Sequence, residues 1–114
     1  MSGQLAPEDV KEQLDGIQLV DVRLDDEWEA GHIAGAKHIP LDSLSERAEE
    51  IDRSQPVVLY CRSGDRSGGA ADALEASGWD VRTMEGGLVA WVEKGLPIEP
   101  DGGKVATSSG LPPV

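Results

Sequence analysis

Four short strand-like runs, at residues 17–22, 36–39, 55–60 and 79–84, alternate along the chain with stretches of helical spacing. Pro7, followed by Glu8 and Asp9, opens a short helix in which Val10 and Leu14 share a face and which Gly16 ends. The first run then reads as a buried strand interrupted by one acidic residue, Asp21. Asp25 is placed to cap a one-turn helix through Trp28 that closes at Gly31, and residues 36–39 form a short strand stopped by Pro40. Ser43-Leu44-Ser45-Glu46 has the Ser-x-x-Glu form of a capping box. Leu41, Leu44, Ala48 and Ile51 lie around it at helical spacing and predict an amphipathic helix. Pro56 stands at the start of the next buried strand. The following helix carries Ala70, Ala71 and Leu74 inward and stops at Gly78. A last strand at 79–84 leads into a helix over 86–92, ended by Gly95 and Pro97. Strands that alternate with helices, and are apolar almost throughout, predict an α/β fold with a parallel sheet covered on both faces. Sites in such sheets lie at the carboxyl ends of the strands.

Length narrows the organisation to one domain, over residues 1–100, because 114 residues support a single sheet-centred core. Residues 101–114 are too rich in Gly, Pro and Ser to join that core and are expected to form a flexible tail. No run approaches the roughly 18–20 apolar residues of a membrane span. The first residues lack the basic and apolar regions of a signal peptide. The single cysteine excludes an internal disulfide and favours a reducing compartment, so a cytoplasmic location is expected. A formal charge of -12 argues against nucleic acid or an anionic membrane as partner, since both select cationic surfaces. No exposed apolar stripe is evident, which makes a monomer the expectation.

Against that acidic background one loop stands out. Cys61-Arg62-Ser63-Gly64-Asp65-Arg66-Ser67 directly follows the apolar run Val57-Val58-Leu59-Tyr60 and directly precedes a small-residue helix. A cysteine at a strand-to-helix turn meets the free N–H groups and positive dipole end of the next helix. Arg62 and Arg66 add cationic charge, and together these conditions favour a thiolate at neutral pH. Cys61 is the expected nucleophile, and the two arginines would attract an anionic substrate. Ser63 and Ser67 can donate hydroxyl bonds to the sulfur, with Ser67 equally suited to cap the helix. Gly64 permits a positive φ or a close backbone approach, whereas Gly68 and Gly69 are expected to allow tight packing of the helix on the sheet. Asp65 partly offsets the cationic charge. Asp21, a charge inside a buried strand, is expected to be a structural acceptor for loop N–H groups. Arg23 is also read as structural, pairing with Glu27 or reaching the site rim. One cysteine and two separated histidines make a poor metal set, so neither metal nor cofactor is expected. At this level the loop suits a phosphatase, a reductase or a transferase equally.

Three motifs carry a resemblance over residues 19–97. Asp21-Val22-Arg23, Glu27-Trp28 and Gly31-His32-Ile33-Ala34-Gly35-Ala36 form the first, the cysteine loop the second, and Gly86-Gly87-Leu88-Val89-Ala90-Trp91 the third. In this order and at these separations the chain resembles a single-domain rhodanese-like sulfurtransferase. The resemblance implies a three-layer rhodanese-like fold, with a five-stranded parallel sheet and helices on both faces. It also implies a cysteine that carries sulfane sulfur as a persulfide, held by the Arg62-to-Ser67 loop, and a structural role for His32. The donor would be a small sulfur-containing anion such as thiosulfate, or a persulfide, and the acceptor cyanide, a thiol or a protein cysteine. The scaffold is shared with cysteine phosphatases, whose loops have Cys-x5-Arg. Here Arg66 is five places after Cys61 and Ser67 six, a tighter ring suited to one terminal sulfur. The Asp65 charge favours a persulfide donor over dianionic thiosulfate. A persulfide carrier with little turnover and a non-catalytic binding module are the alternatives, with a phosphatase or arsenate reductase behind them.

Overall fold

The computed structural model describes residues 3–52, 54–62 and 65–99, with Asp65 and Arg66 described in their backbone alone. The elements run β1 (Gly3–Leu5), α1 (Pro7–Gln13), β2 (Gln18–Asp21), α2 (Asp25–Ala30), β3 (Lys37–His38), α3 (Leu44–Arg47), β4 (Val57–Tyr60), α4 (Asp65–Ala76), β5 (Val81–Met84) and α5 (Gly87–Glu93). The strands form one five-stranded sheet in the order β1-β5-β4-β2-β3, parallel at every pairing. β4 is therefore central, and all four of its residues are buried.

Strand alternation sends side chains to two separate cores. Val57, Leu59 and Cys61 pack with Val20, Val22, Ile39, Leu44, Ile51, Ala70, Ala71 and Val81 on the α3–α4 face. Val58 and Tyr60 pack with Val10, Leu19, Ile33, Met84, Leu88 and Trp91 on the α1–α5 face. Burial on both sides explains why β4 reads as a continuous apolar run. No helix among the described residues is long and apolar enough to cross a membrane.

Several local expectations are corrected. Gly3–Leu5, which has no strand signal, pairs with β5 in the register Gly3↔Arg82 to Leu5↔Met84 and supplies the fifth strand. Three mostly exposed residues at a sheet edge cannot show an alternating pattern, so main-chain pairing defines them. Asp25 does not cap α2 but is its first residue; Glu27 reaches back instead, its Oε1 accepting the Leu24 N–H at 3.0 Å. The helix expected around Ser43 divides into 3-10 turns at Leu41–Ser43 and Ala48–Glu50 flanking the four-residue α3, and Ser43 makes no side-chain cap bond. Its backbone is already helical there, which leaves it inside the helical path rather than at its boundary.

The domain remains ordered in contact through Glu99. Leu96 and Ile98 pack against the α1–α5 core, the Trp91 Nε1–H donates to the Pro97 carbonyl at 2.8 Å, and His32 and Glu99 exchange backbone bonds at 2.9 and 2.7 Å. The tail over 101–114 lies outside the described residues.

Candidate active site

Cys61 emerges at the carboxyl end of the central strand, where the Val22 N–H extends the β2–β4 ladder to the Tyr60 carbonyl at 3.0 Å. The cysteine is 1% exposed. Ser67 is the third residue of the twelve-residue α4, so its N–H is among the donors that a helix start leaves without an intrahelical acceptor. That N–H and the Ser67 hydroxyl each lie 3.5 Å from the Cys61 Sγ. Ser67 thus stands inside the helix and aims two donors at sulfur, the first of the two roles its sequence position left open. From the other face of the sheet, the Leu88 and Val89 N–H groups at the start of α5 donate to the Cys61 and Arg62 carbonyls at 2.9 and 3.0 Å. Arg62 is half-buried, and its Nε has no hydrogen-bond partner among the described residues. Ser63 and Gly64 lie outside the described residues, as do the side chains of Asp65 and Arg66.

Beside the loop, β2 ends in a buried ion pair. The Arg23 guanidinium meets the Asp21 carboxylate at 2.7 Å with both side chains fully buried, and its Nη2 also donates to the Gly31 carbonyl at 2.6 Å. Asp21 Oδ1 accepts the Arg23 backbone N–H at 2.9 Å. Asp21 accepts from the backbone and side chain of Arg23 in the β2–α2 turn. Arg23 donates to Asp21 and Gly31, and Glu27 accepts the Leu24 N–H. Tyr60 completes this wall, with the Arg23 Cζ 5.8 Å from its ring centroid and its hydroxyl accepting the Ile33 N–H at 3.2 Å. Burial first, and then the Asp21 charge, push its phenol well above the ordinary range.

His32 has structural bonds. Its Nδ1–H donates to the Trp28 carbonyl at 2.8 Å, and its ring stacks on the Trp28 indole at a centroid distance of 3.6 Å. His38 stacks at 4.8 Å, and its Nε2–H donates to the Arg23 carbonyl at 2.8 Å. Trp28, His38 and Tyr60 therefore fasten the turn that borders the site. No local pattern marks His38 or Tyr60 for that work, because their partners come from other elements. Gly68 and Gly69 do not allow the close packing expected of them: a Cβ at either position would meet nothing within 4 Å.

Comparison with known proteins agrees with this geometry. The profile of the rhodanese-like domain matches residues 6–94. A protein named Sulfurtransferase from Allochromatium vinosum is 40% identical over 83 residues, covering 72% of this chain and 78% of that protein. An uncharacterized protein of Bacillus subtilis is 45% identical over 75 residues, which are 65% of this chain but only 60% of the relative's length. A crystal structure of a rhodanese-related protein from Thermoplasma volcanium superimposes with a TM-score of 0.81 at 29% identity, covering 84% of this chain and 96% of that one. A rhodanese-like domain protein from Staphylococcus aureus does so at 0.76 and 33%, covering 86% and 99%. With the sheet order, the cysteine at the end of its central strand and a profile match over most of its length, the chain belongs to the rhodanese-like domain family.

Proposed function

We propose that the protein is a sulfurtransferase that carries sulfane sulfur on Cys61. The observation that supports this most directly is the placement of two donors, the Ser67 N–H and hydroxyl, at 3.5 Å from a cysteine sulfur ending the central strand. Fixed donors of this kind stabilise an anion without reorganising during the reaction. In the first half-reaction the Cys61 thiolate attacks the outer sulfur of thiosulfate or of a small persulfide. The new S–S bond forms as the donor's own S–S bond breaks, and sulfite or a thiolate leaves with the electron pair. In the second, a thiophilic acceptor such as cyanide, a thiol or a protein cysteine attacks the outer sulfur, and the Cys61 thiolate departs. Two half-reactions through a covalent enzyme intermediate predict ping-pong kinetics. The sulfurtransferase name of the relative from Allochromatium vinosum supports the same reading.

Intact-mass analysis tests it. After incubation with thiosulfate or glutathione persulfide, the protein should gain about one sulfur atom, roughly 32 Da, that cyanide removes and that Cys61→Ser never acquires. A wild-type protein that gains no mass from either donor refutes sulfur transfer. Hydrolysis of an aryl phosphate at Cys61 would replace it with a phosphatase.

A further inference from the structure

The Gly86-Gly87 pair opens α5 with φ of +75° and +62°. A Cβ on Gly87 would stand 2.6 Å from both the Cys61 and the Arg62 carbonyl oxygens, so only a residue without a side chain lets α5 approach the cysteine loop this closely. The next two N–H groups, of Leu88 and Val89, then donate to those same oxygens at 2.9 and 3.0 Å. Both are helix-start donors that would otherwise lack acceptors. The direction of these bonds matters because α5 and the sulfur occupy opposite faces of the sheet. Leu88 and Trp91 pack in the α1–α5 core, whereas Cys61 packs in the α3–α4 core. The two carbonyls are therefore drawn away from the face on which Sγ lies. In a trans peptide the C=O and N–H point to opposite sides, so the bond at the Cys61 carbonyl turns the Arg62 N–H toward the α4 side.

We propose that the first turn of α5 is a positioning element for the nucleophile. Gly87 admits it, and the Leu88 and Val89 N–H groups hold the first two carbonyls of the loop off the sulfur, so that an anion at Cys61 meets donors rather than carbonyl oxygens. This rests on the reading of Cys61 as an anionic nucleophile, but it concerns how the loop is oriented and not which sulfur donor is used.

The test compares Gly87→Ala with Gly86→Ala in the full chain. Both place a Cβ at a positive φ, but the one on Gly86 meets the Ala90 Cβ at 2.5 Å and not the cysteine loop. The second variant thus reproduces the backbone strain without the push on the carbonyls. The readout is the ratio of Cys61 alkylation rates with iodoacetate and with iodoacetamide, which differ in charge and little in size. Gly87→Ala should lower that ratio at least about 5-fold, as a carbonyl dipole replaces a donor beside the anion, and should slow sulfur uptake in parallel. Gly86→Ala should leave the ratio within about twofold of wild type, since that much corresponds to less than one hydrogen bond. An unchanged ratio in folded Gly87→Ala, or equal shifts in both variants, overturns the proposal. If the contrast appears while wild type takes up no sulfur, the sulfurtransferase reading fails and the positioning role stands. Should Gly87→Ala not fold, amide hydrogen exchange of wild type decides: Leu88 and Val89 should be protected at least about 100-fold, and exchange at the rate of exposed amides refutes the clamp.

Discussion

Tyr60 is the protein's one tyrosine, and it closes the central strand immediately before Cys61. Its phenol is fully buried, accepts the Ile33 N–H at 3.2 Å and is held neutral by burial and by the nearby Asp21 carboxylate. The unfolded chain would ionise it near pH 10. Since the folded state holds the proton to a higher pH, the stability this group contributes is whole below about pH 10. Above that pH the unfolded state binds fewer protons than the native one, and stability falls by about 1.4 kcal/mol per pH unit. Tyr60→Phe removes this slope but leaves the Ile33 N–H without its acceptor, at about 1–3 kcal/mol. Wild type should therefore be the more stable protein at pH 7 by that amount. The advantage should shrink above pH 10 and vanish between about pH 11 and 12, where the slope has offset it. Urea melts of both proteins at stepped pH give the difference, in which the lysines common to both cancel. Absorbance at 295 nm reports the phenolate directly, with far-UV circular dichroism recorded alongside. The two signals should change together, because ionisation requires exposure. A phenolate transition centred near pH 10 in a protein whose dichroism stays native would refute the reasoning.

Three further substitutions test other parts of the structure. Arg23→Met strands the Asp21 carboxylate in a fully buried setting and should cost about 3–5 kcal/mol in urea melts, with part recovered in the Asp21→Asn/Arg23→Met pair; a loss below about 1 kcal/mol would show that the ion pair does little. Ser67→Ala removes one of the two Ser67 donors to sulfur and should slow iodoacetamide alkylation of Cys61 by about 5–30-fold, the equivalent of 1–2 kcal/mol, with the fold kept; an unchanged rate would refute a role for the hydroxyl. Gly69→Ala enters an exposed helix position with open space around it, and should stabilise α4 by about 0.5–1 kcal/mol and raise Tm by a few degrees; a lower Tm would mean that Gly69 has a conformational role.

Much of the architecture is a local property of the sequence. A continuous apolar run marked the strand that became β4, which is buried on both faces, whereas β2 and β5 were legible although they carry Asp21 and the exposed Arg82. Gly16, Gly78 and Gly95 marked the ends of helical segments, and Gly78 and Gly95 adopt φ of +94° and +76°. The cysteine loop was legible too, since an apolar strand running into a small-residue helix fixes where a thiol between them must stand. Where local pattern was thin, tertiary structure decided. β1 exists because β5 offers it a ladder, and α3 is limited to four residues between two 3-10 turns. The same holds for the features that give the site its chemistry. Ser67 aims at sulfur rather than capping its helix, and Gly87 brings α5 onto the carbonyls of Cys61 and Arg62. Arg23 closes on Asp21, and Tyr60 catches an N–H 27 residues away. Residue type and spacing along the chain determined which groups are available for catalysis. Their aim depended on contacts between distant segments, and hydrogen-bond direction, unlike hydrophobic burial, leaves no periodic trace in a sequence.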